Sequence, residues 1–333
     1  ILYSGYRPFC MHLILGLQNF MMITETDKRI ILKLQTKGRA TYAELASQLG
    51  YSASTISKRI DRLVESKTIH IRALPNPFKM GLKANALIAV KCDSFKIDHI
   101  CNQLKDNIYI NNIHTIFGRF DILTIVCFPS WELLHSFINK ELFAIQGVEQ
   151  AETYFIKDIK KRYQGLFEES EPLMPSELKS IDYKLIEALV QDGRVHVKEL
   201  ARKFDSNVST ISRRISYLLN EEIIKICAVP NPGKLGYSSN ATMVLDVEAD
   251  RVNDICQTLD ISPELHTIMT MIKGNVLIVG IHERNNERLY HFIKEKILCI
   301  NGVRRTETFI RAEIKKRYYG WFMENPKEYL KSM

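Results

Sequence analysis

The chain has 333 residues, 46% hydrophobic and 25% charged, a length for roughly two to four domains and a composition that excludes disorder over any large stretch. Lys and Arg (46) outnumber Asp and Glu (38), giving a net charge of +8, which favours a polyanionic partner without specifying one. Seven cysteines lie scattered with no CxxC pair and no histidine at zinc spacing, so buried, reduced thiols of a cytoplasmic protein are expected, with neither metal nor cofactor.

Residues 1–22 stand apart. Their apolar run at 11–22 is shorter than the roughly 20 residues of a membrane span, and no membrane partner is expected. They read as an over-extended reading frame or a disordered tail, with a helix packed on the first domain as the other reading. After Thr26-Asp27, a candidate cap, Ile30, Ile31 and Leu34 recur at helical spacing, and Gly38 stops that helix. Leu45, Ala46 and Leu49 mark a short second helix ended by Gly50. Ser52 caps a third, with Ile56, Ile60, Leu63 and Val64 as its apolar face. A β-like run at 68–74 stops at Pro75-Asn76-Pro77. Three helices and a β segment outline a winged helix-turn-helix over 23–77.

Residues 78–167 alternate differently: strand 85–92, helix 95–105, strands 109–117 and 120–128, helix 131–144, strand 147–160. That is the ferredoxin-like βαββαβ order, a four-stranded sheet with helices on one face and the other needing cover. An acidic, proline-bearing stretch at 168–178 reads as a linker. Then the pattern returns 155 residues on. GRATYAELASQLGYSASTISKRIDRL (38–63) is answered by GRVHVKELARKFDSNVSTISRRISYL (193–218). A second winged helix-turn-helix occupies 179–232, with helices at 181–190, through Leu200 and Ala201, and at 208–219, and a strand at 223–229. A second ferredoxin-like domain occupies 233–323, with elements at 240–247, 250–259, 264–272, 275–281, 285–299 and 302–315; 324–333 form a tail. The predicted class is α+β: two winged helix-turn-helix domains and two ferredoxin-like domains packed sheet to sheet, an internal pseudo-dimer.

The third helices carry the candidate binding residues. Ser54, Thr55 and Ser57 precede Lys58, Arg59 and Arg62; Asn207, Ser209, Thr210 and Ser212 precede Arg213 and Arg214. Hydroxyls at a helix start and cations one turn later suit phosphates and base edges, although a capped, solvated helix has the same composition. Residues 24–75 hold ten Lys/Arg against five Asp/Glu, and residues 180–230 eight against seven, so the first copy is expected to bind nucleic acid more tightly. Arg59→Ala and Arg214→Ala are each expected to lower that affinity. His114 and His266, in IHTI and LHTI, read as equivalent strand positions of structural kind. The IKKRY tracts (159–163, 314–318) read as solvated, pairing-resistant strand edges.

Several motifs together resemble the Lrp/AsnC (feast/famine) family of transcription regulators, in tandem form: Lys37-Gly38-Arg39 and Asp192-Gly193-Arg194, STIS-[KR]-R-I in both third helices, Asn76-Pro77 and Asn231-Pro232, Gly118-Arg119-Phe120-Asp121, and GV-x-x-x-ET at 147–153 and 302–308. The resemblance covers nearly everything from 24 to 322. It implies a double-stranded DNA partner read by both third helices, an amino-acid-like effector with Gly118, Arg119, Phe120 and Asp121 in candidate positions, sheet-to-sheet pairing, further homo-oligomers and no catalysis. The second copy has Lys273-Gly274-Asn275 at that turn, without the aromatic-Asp pair. Sirohaem decarboxylases resemble the same architecture and are the enzyme alternative, requiring a cofactor-sized pocket; a partner subunit of related regulators is a third reading.

Overall fold

The computed structural model describes residues 23–162, 178–262 and 264–317. The tail at 1–22, all of the linker but Leu178, and the C-terminal tail lie outside the described residues. Among the described residues, no helix is long and apolar enough to cross a membrane.

The first helical unit comprises α1 (Glu25–Thr36), α2 (Tyr42–Leu49) and α3 (Ala53–Glu65), followed by strand β1 (Ile69–Pro75). Thr24, not the expected Thr26, caps α1: Asp27 N donates to Thr24 Oγ1 at 3.2 Å while Thr24 N donates to Asp27 Oδ2 at 3.0 Å. The reciprocal box satisfies two orphan amides, which Thr26 inside the first turn cannot do. Gly50, in left-handed geometry at φ +76°, ends α2, and Ser52 caps α3. Ile30, Leu34, Leu45, Ile56, Ile60 and Leu63 fill the core between the helices.

The first barrel half then runs β2 (Ala84–Cys92), α4 (Ile97–Lys105), β3 (Ile110–Phe117), β4 (Ile122–Phe128), α5 (Trp131–Ser136) and β5 (Val148–Arg162). The second repeat follows with α6 (Ser180–Gln191), α7 (Val197–Lys203), α8 (Val208–Asn220), β6 (Ile224–Pro230), β7 (Ser239–Val247), α9 (Val252–Asp260), β8 (Leu265–Met271), β9 (Val276–Glu283), α10 (Asn286–Phe292) and β10 (Val303–Arg317).

The two helical units interlock. β1 and β6 pair antiparallel from Ile69↔Pro230 to Pro75↔Ile224. Gly38 N donates to Ile226 O (3.0 Å) and Gly193 N to Ile71 O (2.9 Å), so each unit's α1- or α6-end rests on the other unit's strand. A Cβ on Gly38 would stand 2.7 Å from Ile226 O, and one on Gly193 2.8 Å from Arg72 Cα. These glycines serve close backbone approach more than helix termination. Arg39 Nε and Nη2 donate to Gly193 O (2.8 Å) and Val195 O (2.6 Å); Arg194 returns the clasp to Gly38 O (3.1 Å) and Ala40 O. Asn76 N and Asn231 N extend the ladder to Ile223 O and Thr68 O, each at 2.8 Å.

The two ferredoxin-like sheets do pack face to face, and they also join at both edges. The strand order β10-β3-β4-β2-β5-β8-β9-β7 closes into one eight-stranded barrel. Leu87, Ile116, Phe120, Leu123, Ile156, Met269, Ile278 and Phe309 fill its interior from both repeats. The joins are β5 on β8 and β10 on β3, made by the lysine tracts themselves: Lys161↔Ile268 and Lys316↔Ile113. The expectation of solvated, unpaired edges is therefore corrected. Lys161 Nζ donates to Asp260 O and Ser262 O (3.0 Å), and Lys316 Nζ to Lys105 O (2.7 Å) and Asn107 O (2.8 Å). Each lysine neutralises the carbonyl end of a helix in the opposite repeat, which is why a cation is tolerated at the join.

Register also corrects the histidine pairing. His114 faces Leu123 and Met269 faces Ile278, while Asn112 faces Ile125 and Thr267 faces Gly280. The 155-residue offset thus matches His114 to Met269 and His266 to Asn111. Five cysteines are buried as expected, with burial pushing the Cys101 and Cys256 thiols up to about 11; Cys299 is exposed.

Candidate nucleic-acid interface

Helix α3 shows the predicted amphipathic split except at Val64, expected on the apolar face and found exposed. Ile56, Ile60 and Leu63 are buried, whereas Ala53, Ser54, Lys58 and Asp61 are exposed and Ser57 is half-buried. On α8, Ile211, Ile215 and Leu218 are buried, whereas Val208, Ser209, Ser212, Arg213 and Ser216 are exposed. The helix starts are tied locally. Ser52 Oγ accepts from Thr55 N (3.1 Å) and bonds the hydroxyls of Ser54 (3.0 Å) and Thr55 (2.8 Å); Asn207 Oδ1 accepts from Thr210 N (2.7 Å) and Ser209 Oγ (2.8 Å). Ser57 Oγ donates to Asp61 Oδ2 at 3.3 Å.

The predicted arginines divide into two groups. Arg59 Nη1 reaches Asp27 Oδ1 at 2.9 Å and Arg62 Nη2 reaches Asp27 Oδ2 at 2.7 Å. Asp27 is fully buried; burial opposes its charge, but bonds from Thr24 and Arg59 and the charge of Arg62 leave its carboxyl below the usual range. In the second repeat Arg214 forks onto the fully buried Asp182, with Nε at 2.7 Å from Oδ1, and lies 4.3 Å over the Tyr217 ring. Arg59, Arg62 and Arg214 therefore lock the third helix to the first. Lys58 and Arg213 are the predicted cations that point outward.

A groove between α7 and α8 is lined by His196, Val197, Lys198, Glu199, Arg202, Val208 and Ser212. Lys198 and Arg202 were missed by sequence reasoning, which looked only along the third helices; a 155-residue offset puts Ala43 and Ser47 at their places in the first repeat. Part of the charge of the first repeat is paired. In the first repeat Lys28 pairs with Glu25, Lys37 with Glu44, Arg59 and Arg62 with Asp27, and Arg39 is spent on backbone carbonyls. Arg29, Lys33, Lys58 and Lys67 remain exposed there, so the surplus of positive charge of the first repeat stays at its surface.

The turn at Gly118–Asp121 is a structural knot of the barrel rim. Arg119 bridges Glu152 (2.7 Å) and Glu307 (2.7 Å), which are the same position in the two repeats, and both carboxylates hold its guanidinium firmly charged. Phe120 is buried 6.0 Å from Phe309 between ring centroids, and Asp121 takes Lys91 Nζ (3.0 Å) and Cys92 N (2.9 Å). Gly118, at φ +146°, sits against Phe309. A single arginine thus serves both repeats, and the second copy's Lys273-Gly274 turn has no need of its own.

Comparison with known proteins finds four matching stretches along the chain. Residues 23–64 match the AsnC-type helix-turn-helix domain, 85–166 the Lrp/AsnC ligand binding domain, 178–225 a winged helix-turn-helix DNA-binding domain, and 238–324 a C-terminal dimeric alpha+beta barrel domain. An uncharacterized HTH-type transcriptional regulator of Pyrococcus abyssi is 31% identical over 43% of this chain and 91% of its own length. HTH-type transcriptional regulator FL11 of Pyrococcus furiosus is 32% identical over 42% and 92%. The solved structure of the siroheme decarboxylase NirDL shares the fold at TM-score 0.66, with 16% identity over 93% of this chain and 98% of that one. With relatives of this identity matched over nearly their whole length, and both modules present twice in order, the chain belongs to the Lrp/AsnC family.

Proposed function

We propose that this chain is a sequence-specific, double-stranded DNA-binding transcription regulator in which one polypeptide does the work of a dimer. The observation that carries the reading is the pairing of two open, hydroxyl-and-cation helix faces on one interlocked body. Ser54 and Lys58 on α3, and Ser209, Ser212 and Arg213 on α8, are left to solvent, while the β1–β6 ladder and the Arg39 and Arg194 clasps hold the two units together. Tethering makes the second half-site contact intramolecular, worth roughly 10²–10⁴ in avidity when geometry allows. The two faces differ in sequence, so the operator is an imperfect palindrome. Lys198 and Arg202 add cations beside α8, which lets the second repeat contribute to phosphate contact although its net charge is smaller. Arg59, Arg62 and Arg214 act by holding their helices. A small-molecule effector fits the ligand binding domain that 85–166 matches.

The decarboxylase reading has one specific test. The barrel cavity lined by His114, His266 and Arg311 measures about 110 Å³, below even the roughly 300–1,000 Å³ of pockets for drug-sized ligands. A second cavity of about 540 Å³, lined at the barrel rim by Arg119, Glu152, Tyr154, Lys273, Arg305 and Glu307, does fall within that range, so the regulator reading rests on the two outward helix faces and not on cavity size. Selection of bound duplexes from random sequence, at near-physiological salt, tests the proposal. It should return a two-part motif with half-sites about one helical turn apart or a multiple of it; recovery of no motif would contradict it.

A further inference from the structure

The N-terminal residues of a recognition helix are the ones that reach base edges. Over the first nine residues of α3 and α8, ASTISKRID (53–61) and VSTISRRIS (208–216), the two repeats differ at three positions only. Lys58 against Arg213 keeps the charge. The other two pairs change the chemistry: Ala53 against Val208, and Asp61 against Ser216. All four of these side chains are exposed. Any difference in the bases that the two helix starts select is therefore concentrated at two places.

Val208 opens α8, is 45% exposed, and lines the groove toward α7 beside Ser212. Stability gives no reason for it. A β-branched residue is a poorer helix former than the alanine of the first repeat, and methyl groups left half in water gain little on folding. In the major groove an apolar side chain has one partner, the 5-methyl group of thymine. Lys198 and Arg202, one turn apart on α7 and without ion-pair partners among the described residues, flank the same groove and suit the phosphates beside that base. Asp61 is the opposite case. Its Oδ2 accepts from Ser57 Oγ at 3.3 Å, and its other oxygen has no partner among the described residues. A carboxylate on the face that carries Lys58 to a duplex is repelled by phosphates unless a donor meets it, and the major-groove donor that suits an aspartate is cytosine N4. Ser216, uncharged at the same place on α8, makes no such demand.

We infer that the operator has a direction set by two residues: Val208 reads a thymine through its 5-methyl group in the half-site under α8, and Asp61 reads a cytosine through its N4 in the half-site under α3. This polarity rests on the regulator reading and adds base identity to it. Lys58 and Arg213 stay on phosphates in both halves, so the two specificity-determining side chains work inside a frame that is otherwise the same.

Duplexes selected by the full chain from a random-sequence pool should show unlike halves, one holding a thymine and the other a cytosine at a fixed place. Replacing that thymine by deoxyuridine removes the methyl group alone. It should weaken wild-type binding about fourfold, the worth of one buried methyl, while the Val208→Ala variant binds both duplexes equally. Replacing the C·G pair by T·A should weaken wild-type binding at least about fivefold and leave the Asp61→Ser variant indifferent. The double variant, Asp61→Ser with Val208→Ala, makes the two helix starts alike except at Lys58 and Arg213, so selection with it should return a palindrome. Both side chains are exposed, so melting temperatures should stay at the wild-type value; the deoxyuridine duplex needs no variant and covers the case in which one does not fold. The inference is overturned if the wild-type halves are alike, if deoxyuridine and thymidine duplexes bind equally, or if the folded double variant selects the wild-type motif. Recovery of no motif by the folded wild type contradicts the regulator reading itself, and the polarity with it.

Discussion

Arg213 and Arg214 are neighbours in sequence with opposite tasks. A helix advances about 100° per residue, so one projects outward while the other forks onto buried Asp182, with only 14% of its side chain exposed. Arg214→Ala should cost about 3 kcal/mol of stability by stranding a buried carboxylate, read as a lowered midpoint in urea unfolding. Arg213→Ala should stay within about 0.5 kcal/mol of the wild type and lower DNA affinity instead. Asp27 adds a pH dependence. Its folded-state carboxyl lies below the ordinary value, so the stability it contributes is present above the unfolded carboxylate range, about 3.9, and is lost as pH falls through the folded value. Asp27→Asn should therefore destabilise the chain at neutral pH and flatten its acid-side loss of melting temperature; a steep acid loss unchanged in the variant would remove Asp27 as its source. The sequence placed these arginines on the right helix but could not say which face met a carboxylate 32 residues away.

At the level of elements, local pattern was a reliable guide and partnership was not. Helix and strand limits follow from period, caps and Pro or Gly stops, so the βαββαβ order and the Ser52 and Gly50 boundaries were legible. Pairing between residues more than a hundred apart leaves no periodic trace. The exchange of β1 and β6, the clasps of Arg39 and Arg194, and the burial of the lysine tracts in the barrel joins were therefore invisible. Gly38→Ala tests the exchange. A methyl group there meets the Ile226 carbonyl at 2.7 Å, and overpacking of this kind costs about 1–3 kcal/mol, whereas a glycine serving only to end a helix would tolerate alanine with far smaller loss. Differential unfolding curves of the two proteins decide between them.

On the scale of the whole molecule, one arginine bridging Glu152 and Glu307 stands for the design: a single chain that has kept two-fold architecture and abandoned strict two-fold chemistry. Without Arg119 the two carboxylates confront each other. Arg119→Ala should lose melting temperature most at neutral pH and recover toward wild type as pH falls to about 4, where glutamates protonate; a loss independent of pH would mean that the bridge is not electrostatic. The same loss of symmetry extends to the two outward helix faces. The account's central claim is that Lys58 and Arg213 touch the phosphates of one duplex. The most direct measurement is the salt dependence of affinity for a selected operator, wild type against the Lys58→Ala, Arg213→Ala double variant, by fluorescence anisotropy. The account predicts weaker binding at every salt concentration and a log–log slope reduced by about two, one per phosphate contact removed, with the melting temperature unchanged. An identical slope and affinity in the folded double variant would contradict it.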